Sequence, residues 1–283
     1  MQVTGTVLTT RRVDAFHALT VVAPGIAERT RPGHFVTVAV GGPSTSMLTR
    51  RALFVHDVKP DYGGTVELVF TVRGPGTRWL ADRRARDPLD LVGPLGRPFP
   101  VPRDPVACVL VGAEYGSAVL FPLADTLLAR GCRVDFVLGG AGAERVFGAM
   151  RARRVAQTTT LTTEDGSLGL RGRVADALPS VIADTRADAV YACGPMDTLR
   201  EVTAVAMKFD IPVQVVVEEA MACGVGICMT CVLPVIGEDG TTRMVRACVE
   251  GPVFRGERVR FEDVGTIPFD AIGAPGGGAR HAG

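Results

Sequence analysis

The residues best placed to do chemistry are the cysteines near the C-terminus. Cys223 is followed at four intervening residues by Cys228, and at two more by Cys231. Cys248 follows after sixteen further residues that include the turn Gly237-Glu-Asp-Gly240. This C-x4-C-x2-C spacing with a distant fourth cysteine is one that lets a single loop hold a [2Fe–2S] cluster. Three thiolates must point inward from one loop without covering the bridging sulfides. Gly224 and Gly226 suit such a loop, because glycine reaches backbone angles closed to other residues and lets amides approach closely. A structural zinc site, the alternative, ordinarily shows two paired C-x2-C knuckles, and here there is one. A thioredoxin-like redox pair would leave Cys223 and Cys248 without a role.

The rest of the chain must position that loop. Its 283 residues suggest about two domains, and 47% hydrophobic with 22% charged residues is ordinary for a globular protein. A net charge of +1 offers no field to draw nucleic acid or an acidic partner. The N-terminal stretch has no apolar core typical of a signal peptide, and no run is long and apolar enough to span a bilayer. Seven cysteines, four of them committed to one site, fit a reducing compartment better than a disulfide framework, so a cytoplasmic setting is expected. Cys108 and Cys132 sit in or beside apolar runs and read as core.

Residues 1–102 read as β structure. Short apolar runs (Gln2–Leu8, Phe16–Ala23, His34–Val40, Ala52–Val58, Thr65–Val72, Leu89–Val92) are separated by Gly, Pro and Asp turns, which predicts a small closed barrel. A Gly74-Pro-Gly-Thr77 turn feeds a helical patch at 78–83. Prolines at 100, 102 and 105 mark a boundary. Over 103–217 the rhythm changes: five continuous apolar strands alternate with helices, including one around Glu144–Arg153, as in a doubly wound parallel sheet. The loops at Gly112–Gly116 and Cys193-Gly194-Pro195 follow strands of that sheet, where such folds bind ligands. A cysteine domain then occupies 218–262, and 263–283 reads as a disordered tail in which His281 is inert.

The motifs Glu218-Glu-Ala-Met-Ala-Cys223-Gly-Val-Gly-Ile-Cys228 and Cys248-Val-Glu-Gly-Pro-Val-Phe254, behind a barrel and a doubly wound sheet, resemble the ferredoxin reductase superfamily. Within it they are most similar to the electron-transfer subunits of two-subunit, NAD-dependent dihydroorotate dehydrogenases. The resemblance runs to about Val264. It implies a Greek-key barrel that binds FAD, a five-stranded doubly wound domain for NAD(H) and a small C-terminal [2Fe–2S] domain. It also implies a partner, an FMN-containing catalytic subunit of pyrimidine biosynthesis, assembled as a heterotetramer.

Residue by residue, the flavin motif falls on Arg51-Ala52-Leu53-Phe54, where the family usually has Arg-Pro-x-Ser. Arg51 keeps the guanidinium fork that suits a pyrophosphate, whereas Phe54 puts an apolar ring where a hydroxyl is usual. Val69-Phe70-Thr71 matches a second flavin-contacting segment, Gly76-Thr77 matches the pyrophosphate turn, and Gly93-Pro-Leu-Gly96 also fits. The four cysteines are the implied metal ligands. On the nicotinamide side Gly112, Gly116, Cys193, Gly194 and Pro195 match, but Ala113 and Glu114 replace two glycines of the first turn. A carboxylate at that position repels phosphate, and weak or absent NAD(H) binding is expected, although the intact Cys193-Gly194-Pro195 leaves NAD(H) use open.

These readings predict an iron–sulfur flavoprotein relay in which no side chain serves as acid or base. Two other readings remain open on sequence: a stand-alone NAD(P)H-dependent reductase serving another acceptor, and a non-catalytic redox or metal-sensing module. Val225, Ile227 and Met229, interleaved with the cysteines, either ring the cluster as a docking patch or pack beneath the loop.

Overall fold

The computed structural model describes residues 1–42, 45–61 and 63–275. Six strands, β1 (Gln2–Val13), β2 (Phe16–Val22), β3 (Phe35–Val38), β4 (Arg51–Lys59), β5 (Thr65–Phe70) and β6 (Pro88–Leu95), close into an antiparallel barrel. Their order around the barrel, β1-β2-β5-β4-β3-β6, is a Greek key. Alternate residues point inward, and Leu19, Val21, Val36, Val38, Leu53, Leu68 and Leu91 fill the interior. Two short helices cap it, α1 (Pro24–Ala27) and α2 (Pro75–Ala81), the second matching the expected helical patch.

Five parallel strands follow: β7 (Ala107–Ala113), β8 (Arg133–Gly140), β9 (Thr158–Thr163), then β11 (Ala189–Cys193) and β12 (Val213–Val216), with the two-residue β10 (Leu170–Arg171) between β9 and β11 in sequence. Along β7 and β8 successive side chains go to opposite faces. Cys108, Leu110, Phe136 and Leu138 join one core with α3 (Leu120–Ala129) and α4 (Ala149–Val155). Val109, Val111 and Val137 join another with α5 (Val174–Thr185) and α6 (Met196–Lys208). Burial on both faces is why these strands read as continuous apolar runs rather than alternating ones. Cys108 and Cys132 are core residues, as read from sequence.

The sheet has seven strands rather than five, in the order β10-β9-β8-β7-β11-β12-β15. Edge strand β10 is parallel to β9. The other edge, β15 (Val253–Arg255), pairs antiparallel with β12 and comes from the stretch expected as a separate cysteine domain. That stretch also holds a hairpin of β13 (Val232–Ile236) and β14 (Thr242–Arg246). A second departure concerns the helix expected over 144–153. The chain makes a three-residue 3-10 turn at Ala143–Arg145, and α4 begins only at Ala149. Between them Gly148 is left-handed (φ 80°), and a Cβ there would stand 2.4 Å from the Phe121 ring. The expected tail is ordered to Pro275: Arg260 bonds Asp270, and the Ile272 amide donates to the Thr242 carbonyl. The rest of that tail, with His281, lies outside the described residues. Among the described residues no helix is long and apolar enough to cross a membrane.

Two buried histidines tie barrel segments down in their neutral form. His56 on β4 donates from Nδ1 to the Ala118 carbonyl at 2.7 Å, linking barrel to sheet. His34 accepts the Arg31 N–H at Nδ1, and burial, with Arg31 beside it, lowers its pKa to about 4. Burial likewise lowers His56. Between pH 6.5 and about 4 the unfolded chain therefore takes up a proton at position 34 that the folded chain refuses. Stability is expected to fall as pH drops through this window, by at most about 1.4 kcal/mol per pH unit for one such group. Urea unfolding at pH 7 and pH 5 checks this, and His34→Gln should lose less stability than the wild type over the same interval.

Candidate functional site

A cleft of about 350 Å³ opens between barrel and sheet. Its floor is apolar: Ala52, Leu53 and Phe54 from β4, Val69 and Phe70 from β5, and Phe35 from β3. Thr71 and Thr77 line it, and Arg73, Tyr115 and Glu218–Met221 complete the wall. Ala52, Leu53, Phe54, Val69, Phe70 and Thr71, from two of the stretches expected on the flavin side, thus line one hollow, whereas Gly93-Pro-Leu-Gly96 does not. Phe54, the apolar substitution, packs edge-to-face on Phe35 with ring centroids 6.3 Å apart.

At the α2 side, the guanidinium of Arg51 lies over Gly76. A Cβ on that glycine would stand 2.4 Å from Arg51 Nε, so any side chain there would push the guanidinium aside. Arg51 Nη1 donates to the Thr49 carbonyl and hydroxyl, which fixes the guanidinium plane. Thr77 Oγ1 accepts the Arg73 and Gly74 N–H groups and holds the turn.

Across the cleft stands a cluster that the sequence did not single out. Tyr115 donates its hydroxyl to Glu218 Oε2 at 2.6 Å, and the Arg73 guanidinium sits 5.3 Å above the Tyr115 ring and 3.9 Å from the same carboxylate. Burial raises the pKa of Glu218 and of Tyr115, in the latter case helped by the Glu218 charge. Three distant stretches meet here, and only the position of Tyr115 and Glu218 just beyond strand ends hinted at it. Cys193 is completely buried beside this cluster; burial, with Glu218 nearby, pushes its thiol well up.

The loops after β7 and β11 interlock. A Cβ at Gly116 would stand 3.0 Å from the Cys193 carbonyl carbon, and one at Gly194 would stand 2.9 Å from the Ala113 Cβ. A Cβ at Gly112 would meet Ser117 at 2.4 Å. Gly112, Gly116, Cys193 and Gly194 are thus brought together by close packing. Pro195 opens α6 beside them and borders a second hollow of about 150 Å³. That hollow is lined by Glu114, Glu164, Arg173 and Asp197, among others.

From Glu218–Met221 the chain runs directly into the cysteine loop. Cys223 lies two residues beyond Met221, so at most about 7 Å of backbone separates the loop from the cleft wall. Gly224, Gly226 and Met229 all have positive φ (71°, 83° and 58°), which curls the loop on itself. Arg246 pins it by donating to the Gly226 carbonyl at 3.0 Å while its other nitrogens hold Glu250. The four cysteines fall into two pairs: the Cys228 thiol adjoins Cys223, and the Cys248 thiol adjoins Cys231. Burial pushes Cys223 up, but the amides of Cys228, Val225 and Ile227 outweigh it and bring the thiol to about 6. Two pairs of thiolates suit a cluster of two irons, each iron taking two. Cys231 and Cys248 are buried and Cys228 is exposed. Val225, Ile227 and Met229 point outward, with Ile227 81% exposed, so they do not pack beneath the loop.

Residues 218–260 match the iron–sulfur cluster binding domain of dihydroorotate dehydrogenase B. The chain is 32% identical over 240 residues, 85% of its length and 90% of the relative's, to the electron-transfer subunit of dihydroorotate dehydrogenase B (NAD(+)) from Desulforamulus reducens. The corresponding subunit of Bacillus caldolyticus is 36% identical over 247 residues, covering 86% of this chain and 92% of the relative. Among solved structures, one of NADH-dependent reduced ferredoxin–NADP oxidoreductase, described in connection with flavin-based electron bifurcation, superposes with a TM-score of 0.81 at 28% identity, covering 93% of this chain and 91% of that one. A ferredoxin NADP+ reductase from Neisseria gonorrhoeae shares the fold, with a TM-score of 0.61 at 15% identity over 73% of this chain and 91% of that one.

The seating of the cysteine loop on the barrel yields a prediction. A methyl group at Gly224 would stand 2.4 Å from the Thr37 Cγ2, whereas one at Gly240, also left-handed, would meet nothing within 4 Å. Gly224→Ala is therefore expected to cost roughly 1–3 kcal/mol and Gly240→Ala less. Urea midpoints and the rate of protease cleavage within 223–231 measure the difference.

Proposed function

This chain belongs to the family of dihydroorotate dehydrogenase B electron-transfer subunits, and on that footing we propose that it relays electrons between FAD held on its barrel and the FMN of a separate catalytic subunit. The reading rests chiefly on one observation: the wall of the cleft, Glu218–Met221, continues without interruption into the cysteine loop. A flavin exchanges two-electron for one-electron chemistry, and a [2Fe–2S] cluster carries one electron at a time. Everything else the chain contributes is placement.

In this reading Arg51, Gly76 and Thr77 take the FAD pyrophosphate, and Ala52, Leu53, Phe54, Val69, Phe70 and Thr71 take the ring system. Cys223 and Cys228 hold one iron, and Cys231 and Cys248 the other. The exposed ring of Val225, Ile227 and Met229 around Cys228 is the surface on which the catalytic subunit sits, because large apolar groups rimming a redox centre are best covered by protein. Two copies of each subunit form the assembly, in the cytoplasm, where thiols stay reduced.

Four measurements test this. Anaerobically prepared protein should contain FAD, iron and acid-labile sulfide, and zinc in place of iron and sulfide would sink the cluster assignment. Cys228→Ser should abolish the visible bands of the cluster while FAD stays bound. Arg51→Ala should shed FAD on dialysis, since a charged hydrogen bond contributes roughly 1.5–3 kcal/mol. Co-expression with an FMN-containing dihydroorotate dehydrogenase subunit should give one heteromeric peak on size exclusion; two separate peaks would count against the partner.

A further inference from the structure

In an open parallel sheet, ligands bind beyond the carboxyl ends of the strands where strand order reverses. Here that point lies between β7 and β11, with β8 on the other side of β7. Phosphates at such a point are held by loop amides and by arginine. Both kinds of group are present, and both are already taken.

The occupant is Glu114, in the loop after β7. Its backbone is left-handed (φ 58°), a conformation costly for a residue with a side chain. The twist brings the carboxylate across the strand ends. Oε1 accepts the Ala141 N–H beyond β8 at 3.2 Å, and Oε2 pairs with Arg145. The charge around the hollow has the same sense. Glu114, Glu164 and Asp197 line it against one arginine, Arg173. Arg173 is itself held by Asp197 and Glu201, each at 2.5 Å. A pyrophosphate entering there meets three carboxylates and, among the described lining residues, no uncommitted cation.

The next residue closes the other end of the route. Tyr115 lines the flavin cleft and is fixed there by its bond to Glu218 and by the Arg73 guanidinium above its ring. Gly116 and Gly194 pack so closely that the two loops leave no space between them for a planar ring. A nicotinamide reaching from the switch point toward the cleft must displace Tyr115 and break that part-buried bond.

We infer that Glu114 and Tyr115 are specificity-determining residues that exclude pyridine dinucleotides: the Glu114 carboxylate occupies the phosphate subsite, and the Tyr115 ring covers the approach to the cleft. Electrons then enter and leave this chain by way of protein partners and not from NADH or NADPH. The flavin readout of this inference rests on the FAD assignment proposed above; the binding readout does not.

The test compares the wild type with Glu114→Gly, which relieves the left-handed backbone and frees Arg145 and the Ala141 amide, and with Glu114→Gln, which removes only the charge. Calorimetric titration with ADP-ribose and with NADH should give no saturation of the wild type up to about 1 mM, the top of the usual range for substrates. Glu114→Gly should bind about a hundredfold more tightly, and Glu114→Gln less than that but above wild type. Rapid anaerobic mixing with NADH should leave the wild-type flavin oxidised for seconds, and Tyr115→Ala added to Glu114→Gly should speed its bleaching. Micromolar binding or fast bleaching in the wild type overturns the inference, as does unchanged ADP-ribose affinity in both Glu114 variants. A wild type that carries no flavin refutes the FAD assignment, while the ADP-ribose titration still decides this question.

Discussion

The hydrogen bond from Tyr115 to Glu218 is the contact on which the arrangement turns. Glu218 stands where β12 ends and the path to the cysteines begins. Tyr115 stands in the first loop of the sheet, and Arg73, which faces them both, comes from the barrel. One largely buried carboxylate thus joins three parts of the fold. Burying it is unfavourable without partners, and the phenol and the guanidinium supply them. Burial raises its pKa, and the Tyr115 hydroxyl and the Arg73 guanidinium pull it back down. Loss of either partner would strand a polar group at the base of the cleft, directly before the cysteine loop.

The elements were largely legible in the sequence because their causes are local. Short apolar runs between Gly, Pro and Asp turns marked the barrel strands, and uninterrupted apolar runs marked strands covered on both faces. The glycines of the cysteine loop were legible too: Gly224 and Gly226 take the left-handed angles their role demanded. What escaped was set by distant partners. Val253–Arg255 is too short to announce itself, and it becomes a strand because β12 offers an open edge. The helix over 144–153 reads well in propensity, yet Gly148 breaks it because the Phe121 ring leaves no room for a Cβ. In the cleft, the stretches around Arg51, Val69 and Gly76 could be named from their motifs, whereas Arg73, Tyr115 and Glu218 could not be grouped before the tertiary fold brought them together. Glu114 was conspicuous as a carboxylate in a turn, but its partners, Arg145 and the Ala141 amide, lie past another strand.

The cysteine loop is held by contacts within the chain. Left-handed turns, the Arg246 anchor and the pairing of buried Cys231 with Cys248 fix its path. Cys228, its apolar neighbours and Thr230 face outward. A site whose inner half is rigid and buried, and whose outer half is exposed, suits a group that must meet the flavin on one side and a partner on the other.

The left-handed backbone at Glu114 carries a consequence at the level of the gene. Glutamate codons differ from glycine codons only in their second base, so one transition converts the residue into the one this backbone prefers. Glycine adopts that angle at no steric cost, while the change gives up the carboxylate's contacts with Arg145 and the Ala141 amide. The step that would open the phosphate subsite inferred above is therefore a single nucleotide wide, while the Tyr115 ring over the approach needs a second change at a neighbouring codon. Selection can take the first step in either direction while the barrel and the cysteine loop stay untouched.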